Sequence, residues 1–218
     1  MASVIGYHGT TIDAANIIVR DGSFQLSQSE YNWLGNGAYF FEGAPLRAWM
    51  WAKRKAAETG SEPAVVRATI DLRDCLDLLD VQWFPFLRLQ HELCKRVCVG
   101  LAAEYPDQKA PVMTFIPVND YLVEEVEPKR TVGKNELDCR VVNDTVRMLT
   151  NSFGKVIRSV RAAFFEGYPV YHNSYIYTRN HVQIAVIESE SGGVLSELMI
   201  ETSSKLESGL QNLRKMLD

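Results

Sequence analysis

The chain reads as an α+β protein built on a largely antiparallel or mixed sheet. Segments with strand character stand towards both ends of the sequence with helical segments between them, and strand and helix do not alternate as a doubly wound parallel fold requires. At 218 residues and 24.6 kDa the chain is long enough to bury one sizeable core, so a single domain over residues 1–218 is expected.

The elements follow in order. "ASVIGY" (2–7) runs small, β-branched and aromatic residues together before a glycine and predicts a buried strand ending at His8. "TTIDAANIIVRDG" predicts a helix, with Thr10 or Thr11 as its cap, Asp13 in its first turn and Gly22 as its stop. "GAYFF" is a second short strand, and "APLRAWMWAKRKAAETG" a second helix between Pro45 and Gly60. In "AVVRATIDL" the residues Ala64, Val66, Ala68 and Ile70 fall on one side of a third strand. Helical spacing returns after Pro85 through Leu89, Leu93, Val97 and Leu101, and again through Leu137, Val141, Val142, Thr145, Val146 and Leu149. Between these two, residues 107–135 carry prolines, turn residues and charges that suit a surface excursion. "VIRSVRAAFF" and "HVQIAVIES" predict two late strands bracketing the loop "EGYPVYHNSYIYTRN". Leu206, Leu210, Leu213 and Leu217 make a C-terminal helical stripe that suits packing on the domain and on a partner helix equally.

With 23 Lys+Arg against 27 Asp+Glu the formal net charge is −4, so no whole-molecule positive field draws the chain to phosphate backbones. Cys75, Cys94, Cys98 and Cys139 show no paired spacing of a structural zinc site, and no metal is expected. They read as reduced core thiols. No basic segment followed by an apolar run opens the chain, and no stretch of about twenty residues is free of charge. A cytoplasmic protein is expected, or one delivered into a target cell's cytoplasm by a specialised route.

Two segments can carry chemistry. In "YHGT" His8 ends a strand and Gly9 lets backbone approach a ligand; a satisfied core histidine at a strand end is the plainer reading. In "WLGNGAYFFE" Gly35 and Gly37 lead to Tyr39, which offers a ring for stacking and a hydroxyl for a hydrogen bond; a hairpin turn leading into a core aromatic is the plainer reading here.

Taken together, in this order and at this separation, the two segments resemble the ADP-ribosyltransferase superfamily, on the branch that includes the poly(ADP-ribose) polymerases. The resemblance rests on the first sixty or so residues and is one of element order beyond them. It implies a split antiparallel or mixed sheet with flanking helices and NAD as substrate. It further implies that His8 holds the adenosine ribose, that the Gly9 backbone grips the nicotinamide amide beside Thr10 and Gly37, and that Tyr39 stacks on the nicotinamide ring. Cleaving the nicotinamide–ribose bond builds positive charge on the ribose, which a carboxylate stabilises, and the family places a Glu at the start of a late strand. Here Gln183 stands at that position, so transfer of single ADP-ribose units is implied and polymer synthesis is not. An amide carries no charge; losing one such contact typically costs roughly a hundredfold to a thousandfold in rate.

Glu166 in "FFEGYP", His181 two residues before Gln183 on the same strand face, and Glu188 on the other face are the groups that can stand in, with Gln183 ranked first, Glu166 second and His181 third. Trp33 can wall the pocket and Tyr175 can close an aromatic sandwich, although core packing is the plainer role for both. Of Trp49 and Trp51, two apart on a helix, at most one is central to its buried face. Arg20, Lys53, Arg54 and Lys55 can attract a pyrophosphate, against the plainer reading of a solvated helix face. The reading that results is a mono-ADP-ribosyltransferase of toxin, toxin–antitoxin or phage-defence type. The acidic balance favours a protein acceptor over nucleic acid, and an antitoxin or immunity partner fits such an effector. An inactive NAD-binding or interaction module, an NAD hydrolase, and an unrelated α+β domain in which the two motifs coincide are the alternatives.

Overall fold

The computed structural model describes residues 3–29, 31–104, 135–187 and 193–215, leaving aside the side chains of 95–104, 213 and 214. In chain order come β1 (Ser3–Thr11), α1 (Ile12–Asp21), β2 (Ala38–Glu42), α2 (Pro45–Thr59), β3 (Pro63–Asp71) and β4 (Cys75–Asp77). After a 3-10 turn at Val81–Trp83 follow α3 (Phe84–Glu104), α4 (Glu136–Phe153), β5 (Ser159–Phe164), β6 (His181–Val186), β7 (Leu195–Ile200) and α5 (Ser203–Lys215). The strands form a seven-stranded sheet in the order β4-β5-β6-β2-β1-β3-β7. Only β4 and β5 are parallel; the other neighbours are antiparallel. The chain is thus α+β with a mixed sheet. No helix of the described residues is long and apolar enough to cross a membrane.

Local signals account for most element ends. α1 follows Thr11 in extended geometry and closes at Gly22, whose φ of 69° lies in the left-handed region, and α2 has Pro45 in its first turn and stops at Gly60.

Strand alternation then sorts side chains to two faces. One face carries Phe40, Val66, Ala68, Ile70, Ile184 and Val186, and α1 covers it with Ala15 and Ile18. The other is covered in two parts. α2 and α5 close over Phe41 and Val65 with Ala48, Trp49, Ala52 and Leu206, while α4, with Val142 and Leu149, closes over Val160, Ala162 and Ala185. Phe41 joins the α2 layer and Tyr39 packs against the α4 layer, so the boundary between the two layers falls over β2 and β6.

Several elements differ from expectation for tertiary reasons. β1 does not end at His8, because β3 pairs with it along its whole length, from Ser3↔Asp71 to Thr11↔Pro63. β4 and β7 are short outer strands with weak alternation, and their existence depends on the neighbours β5 and β3. Leu89 and Leu93 are exposed whereas Gln90 and Cys94 are buried, so α3 packs through a face one residue removed from its leucine stripe. Leu206 is buried and Leu210 packs beside it against the α2 layer, which settles that part of the C-terminal stripe in favour of the domain. Val97, Leu101, Leu213 and Leu217, and residues 107–134 of the surface excursion, lie outside the described side chains or residues.

Across the α1 face, Arg161 on β5 donates to Glu42 Oε2 and Oε1 on β2, at 2.6 and 2.8 Å, and to Asp77 Oδ2 on β4 at 2.8 Å. One guanidinium therefore ties three strands and neutralises two largely buried carboxylates. Removing it leaves both without a cation. Arg161→Ala is expected to destabilise the fold by about 2–3 kcal/mol, read as a lowered urea midpoint with unchanged slope.

Candidate functional site

The β1–β2 junction holds the first group of sequence-predicted residues. Its ladder is short: Gly6↔Glu42 and Tyr7↔Phe41 are paired, and Gly43 N–H donates to Ile5 C=O at 2.9 Å. In an antiparallel ladder every second residue turns its backbone groups to the same neighbour, so Ile5, Tyr7 and Gly9 face β2. The next pair would join Gly9 to Tyr39. Instead His8 Nδ1–H donates to the Tyr39 carbonyl at 2.8 Å. The imidazole takes the acceptor that the Gly9 N–H would have used, and pairing of β1 with β2 stops at Tyr7↔Phe41, beside the buried Gly9.

This arrangement corrects two sequence expectations. His8 and Tyr39 do not form two walls of one pocket, because they lie on opposite faces of the sheet. The His8 ring packs edge-on to Phe24 at 5.3 Å and tilted on Phe40 at 5.6 Å, on the α1 face, while Tyr39 pairs with Ala185 and packs towards α4. The glycines also do not clear space for a planar ligand. A Cβ on Gly9 would collide with the backbone carbonyl of Ala48. One on Gly35 would lie 2.5 Å from Asn143 Oδ1, and one on Gly37 2.8 Å from the Val186 carbonyl. Protein atoms from α2, α4 and β6 already fill those volumes.

The remaining motif residues are engaged as follows. Thr10 is buried opposite Ala64. Gly37 exchanges backbone hydrogen bonds with Ser27 at 3.0 and 3.2 Å. Tyr39 Oη donates to Gly35 C=O at 2.8 Å and accepts from Leu34 N–H at 3.0 Å, which pins the 34–39 turn on the phenol. Burial pushes that phenol's pKa up, so it stays protonated.

A second group lies on the face opposite His8, over β6. Gln183 pairs with Phe41 and Ala162, and His181 with Phe164, so the register puts all of these on the face that Tyr39 occupies. Trp33 Nε1–H donates to Gln183 Oε1 at 2.6 Å. The His181 ring lies between Phe41, 4.9 Å away, and Phe164, 5.4 Å away. Its Nδ1–H donates to the Arg179 carbonyl at 2.7 Å, and its Nε2 is buried without a partner. Burial, with the Arg47 charge adding to it, lowers the His181 pKa, so the ring is neutral and Nε2 is a bare acceptor. Glu166 is held by Arg47 at 2.8 Å and Arg179 at 3.0 Å.

Gln183 and His181 share one face of β6, and Glu166 follows the neighbouring strand β5; sequence reasoning missed Arg47, whose only signal is a cation in the first turn of α2. It also missed the use that Trp33 makes of its indole N–H. Tyr175 is 91% exposed and closes no sandwich. Trp49 is buried and Trp51 exposed. Arg20, Lys53 and Arg54 are spent on surface pairs with Asp21, Glu207 and Glu58. Glu188 lies outside the described residues.

Two surface cavities of about 300 and 510 Å³ lie elsewhere, the first lined by Asp71, Arg73 and Arg158 and the second by Gln28, Cys139 and Arg147. No group of His, Cys, Asp and Glu among the described residues is arranged to hold a metal ion. Compared with known proteins, the chain matches no family model, no curated protein and no solved structure.

Burial lowers the His8 pKa to about 4, against the pull of its bond to Tyr39. The folded protein then excludes a proton that the unfolded chain takes up below about pH 6.5. The stability linked to this group is complete above that pH and is lost as the pH falls towards 4. Between pH 7 and 4.5 the native protein is expected to lose about 2 kcal/mol more than His8→Gln, measured by urea unfolding at both pH values. The ring's partial exposure keeps the figure below the full shift.

Proposed function

We propose that the chain is an NAD-dependent mono-ADP-ribosyltransferase acting on a macromolecular target, a protein in preference to a nucleic acid, of the toxin or defence-effector type. The observation that supports this reading is the interrupted ladder between β1 and β2, where His8 Nδ1–H takes the Tyr39 carbonyl. Were the Gly9 N–H and C=O presented to a ligand there, a donor beside an acceptor, a planar carboxamide would be their complement. The strands form one hydrogen-bonded order, so the split sheet that the resemblance implies is not part of this support.

NAD supplies an activated ribose whose bond to nicotinamide breaks as an acceptor attacks, with the acceptor's proton released to a base. The chain's part is to hold and to orient. Gly9 would take the carboxamide through its backbone, and His8 acts by keeping the ladder open. Gln183 offers a neutral hydrogen bond on the neighbouring face, and Glu166 lies two residues beyond Phe164, the β5 residue paired with His181. Since Glu166 is shared between two arginines, its charge is largely spent, which supports slow single transfer.

That same shortage of a free carboxylate favours the second reading, a module that binds NAD without turning it over. NAD labelled at its adenylate phosphate, added to a cell lysate with the native protein, is expected to label material released by protease. Tyr39→Ala is expected to lower transfer at least about tenfold, since it unpins the 34–39 turn beside Gly9. Binding without transfer would favour the second reading; release of free ADP-ribose alone would make the protein an NAD hydrolase. Neither binding nor turnover would overturn both readings.

A further inference from the structure

Gln183 is more than an uncharged substitute at a carboxylate position, because its amide is held one way round. An indole N–H can only donate, so the Gln183 atom 2.6 Å from Trp33 Nε1 is the carbonyl oxygen, and the amide NH2 lies at the other end. No described residue accepts from that NH2. Trp33 itself is steadied by the Phe164 ring, 4.8 Å away at 36°. The turn it belongs to is anchored to α4, where Asn36 N–H donates to Asn143 Oδ1 at 2.9 Å.

We propose that Trp33 is the positioning residue that makes Gln183 a hydrogen-bond donor on this face, so that the ligand atom received there is an acceptor oxygen of a carbonyl or phosphate group. The lock follows from the geometry alone. Only the identity of the ligand rests on the NAD reading. A carboxylate at 183 would still accept from Trp33, but it would present negative charge to the ligand oxygen in place of an N–H. Glutamate is therefore the wrong group for this position, and Gln183→Glu weakens binding where a merely attenuated glutamate site would gain from it.

Two measurements on the full chain test this. In the free protein, exchange of the Trp33 indole proton followed by NMR is expected to be at least tenfold faster in Gln183→Leu than in the native protein; equal rates overturn the lock. In calorimetric titration with NAD, Trp33→Phe and Gln183→Glu are each expected to bind about three- to tenfold more weakly, the loss of one neutral hydrogen bond. Equal affinity in native protein and both variants overturns the donor role while leaving the NAD reading intact, as does tighter binding by Gln183→Glu. No NAD binding by the native protein overturns that reading together with the ligand half of this proposal, and the exchange rates still decide the positioning half. Since Trp33→Phe removes a partly buried N–H and can disturb packing, Gln183→Glu, which keeps the indole and its acceptor, carries the binding test independently.

Discussion

A single side-chain hydrogen bond, His8 Nδ1–H to the Tyr39 carbonyl, decides how the centre of the sheet is built. β1 is the strand on which β2 and β3 both lean, and with β3 it is paired over its whole length. Towards β2 the register would carry on to Gly9 and Tyr39, but the imidazole occupies the carbonyl that the next step needs. The ring is neutral and its tautomer is fixed by the acceptor it faces. Aromatic contacts from Phe24 and Phe40 hold it in place. Exchange of one backbone donor for a side-chain donor leaves the Tyr39 carbonyl satisfied and ends the β1–β2 pairing at Tyr7.

The glycines around this interrupted ladder let the flanking elements close on it. Each lets another element come closer than a side chain would allow: α2 to Gly9, α4 to Gly35 and β6 to Gly37. The parted strands are thus supported from the flanks, and the turn before β2 is held by the Tyr39 hydroxyl and by Asn143. On the adjoining face, polar groups are arranged by donors and acceptors of opposite kind. Trp33 orients Gln183 while the Arg179 carbonyl orients His181, and two arginines hold Glu166. The face is rich in directed hydrogen-bonding groups and poor in uncompensated charge, which is the electrostatic character behind the slow single transfer proposed for it.

The part of this that was legible in the sequence is the part that local chemistry controls. The Thr11-to-Gly22 helix, the Pro45-to-Gly60 helix and the alternation from Ala64 to Ile70 are read from caps, breakers and a period of two, because backbone conformation depends on near neighbours. β4, β7 and the true face of α3 were not legible in that way. A three-residue strand beside β5, an outer strand beside β3, and a helix rotated by one residue are chosen by the partner and not by the segment itself.

For the site, the sequence by itself determined the inventory: a histidine and glycine at a strand, a glycine-flanked tyrosine turn, and a glutamine with a histidine two residues before it on one strand face. Tertiary structure alone decided what these groups do. Whether His8 meets Tyr39 by its ring or by its carbonyl depends on a register set across 31 residues, and the orientation of Gln183 depends on a tryptophan 150 residues away. Such contacts leave no periodic trace, because the hydrogen-bonding partner of a side chain is fixed by which strands lie side by side and which face each residue has been turned to.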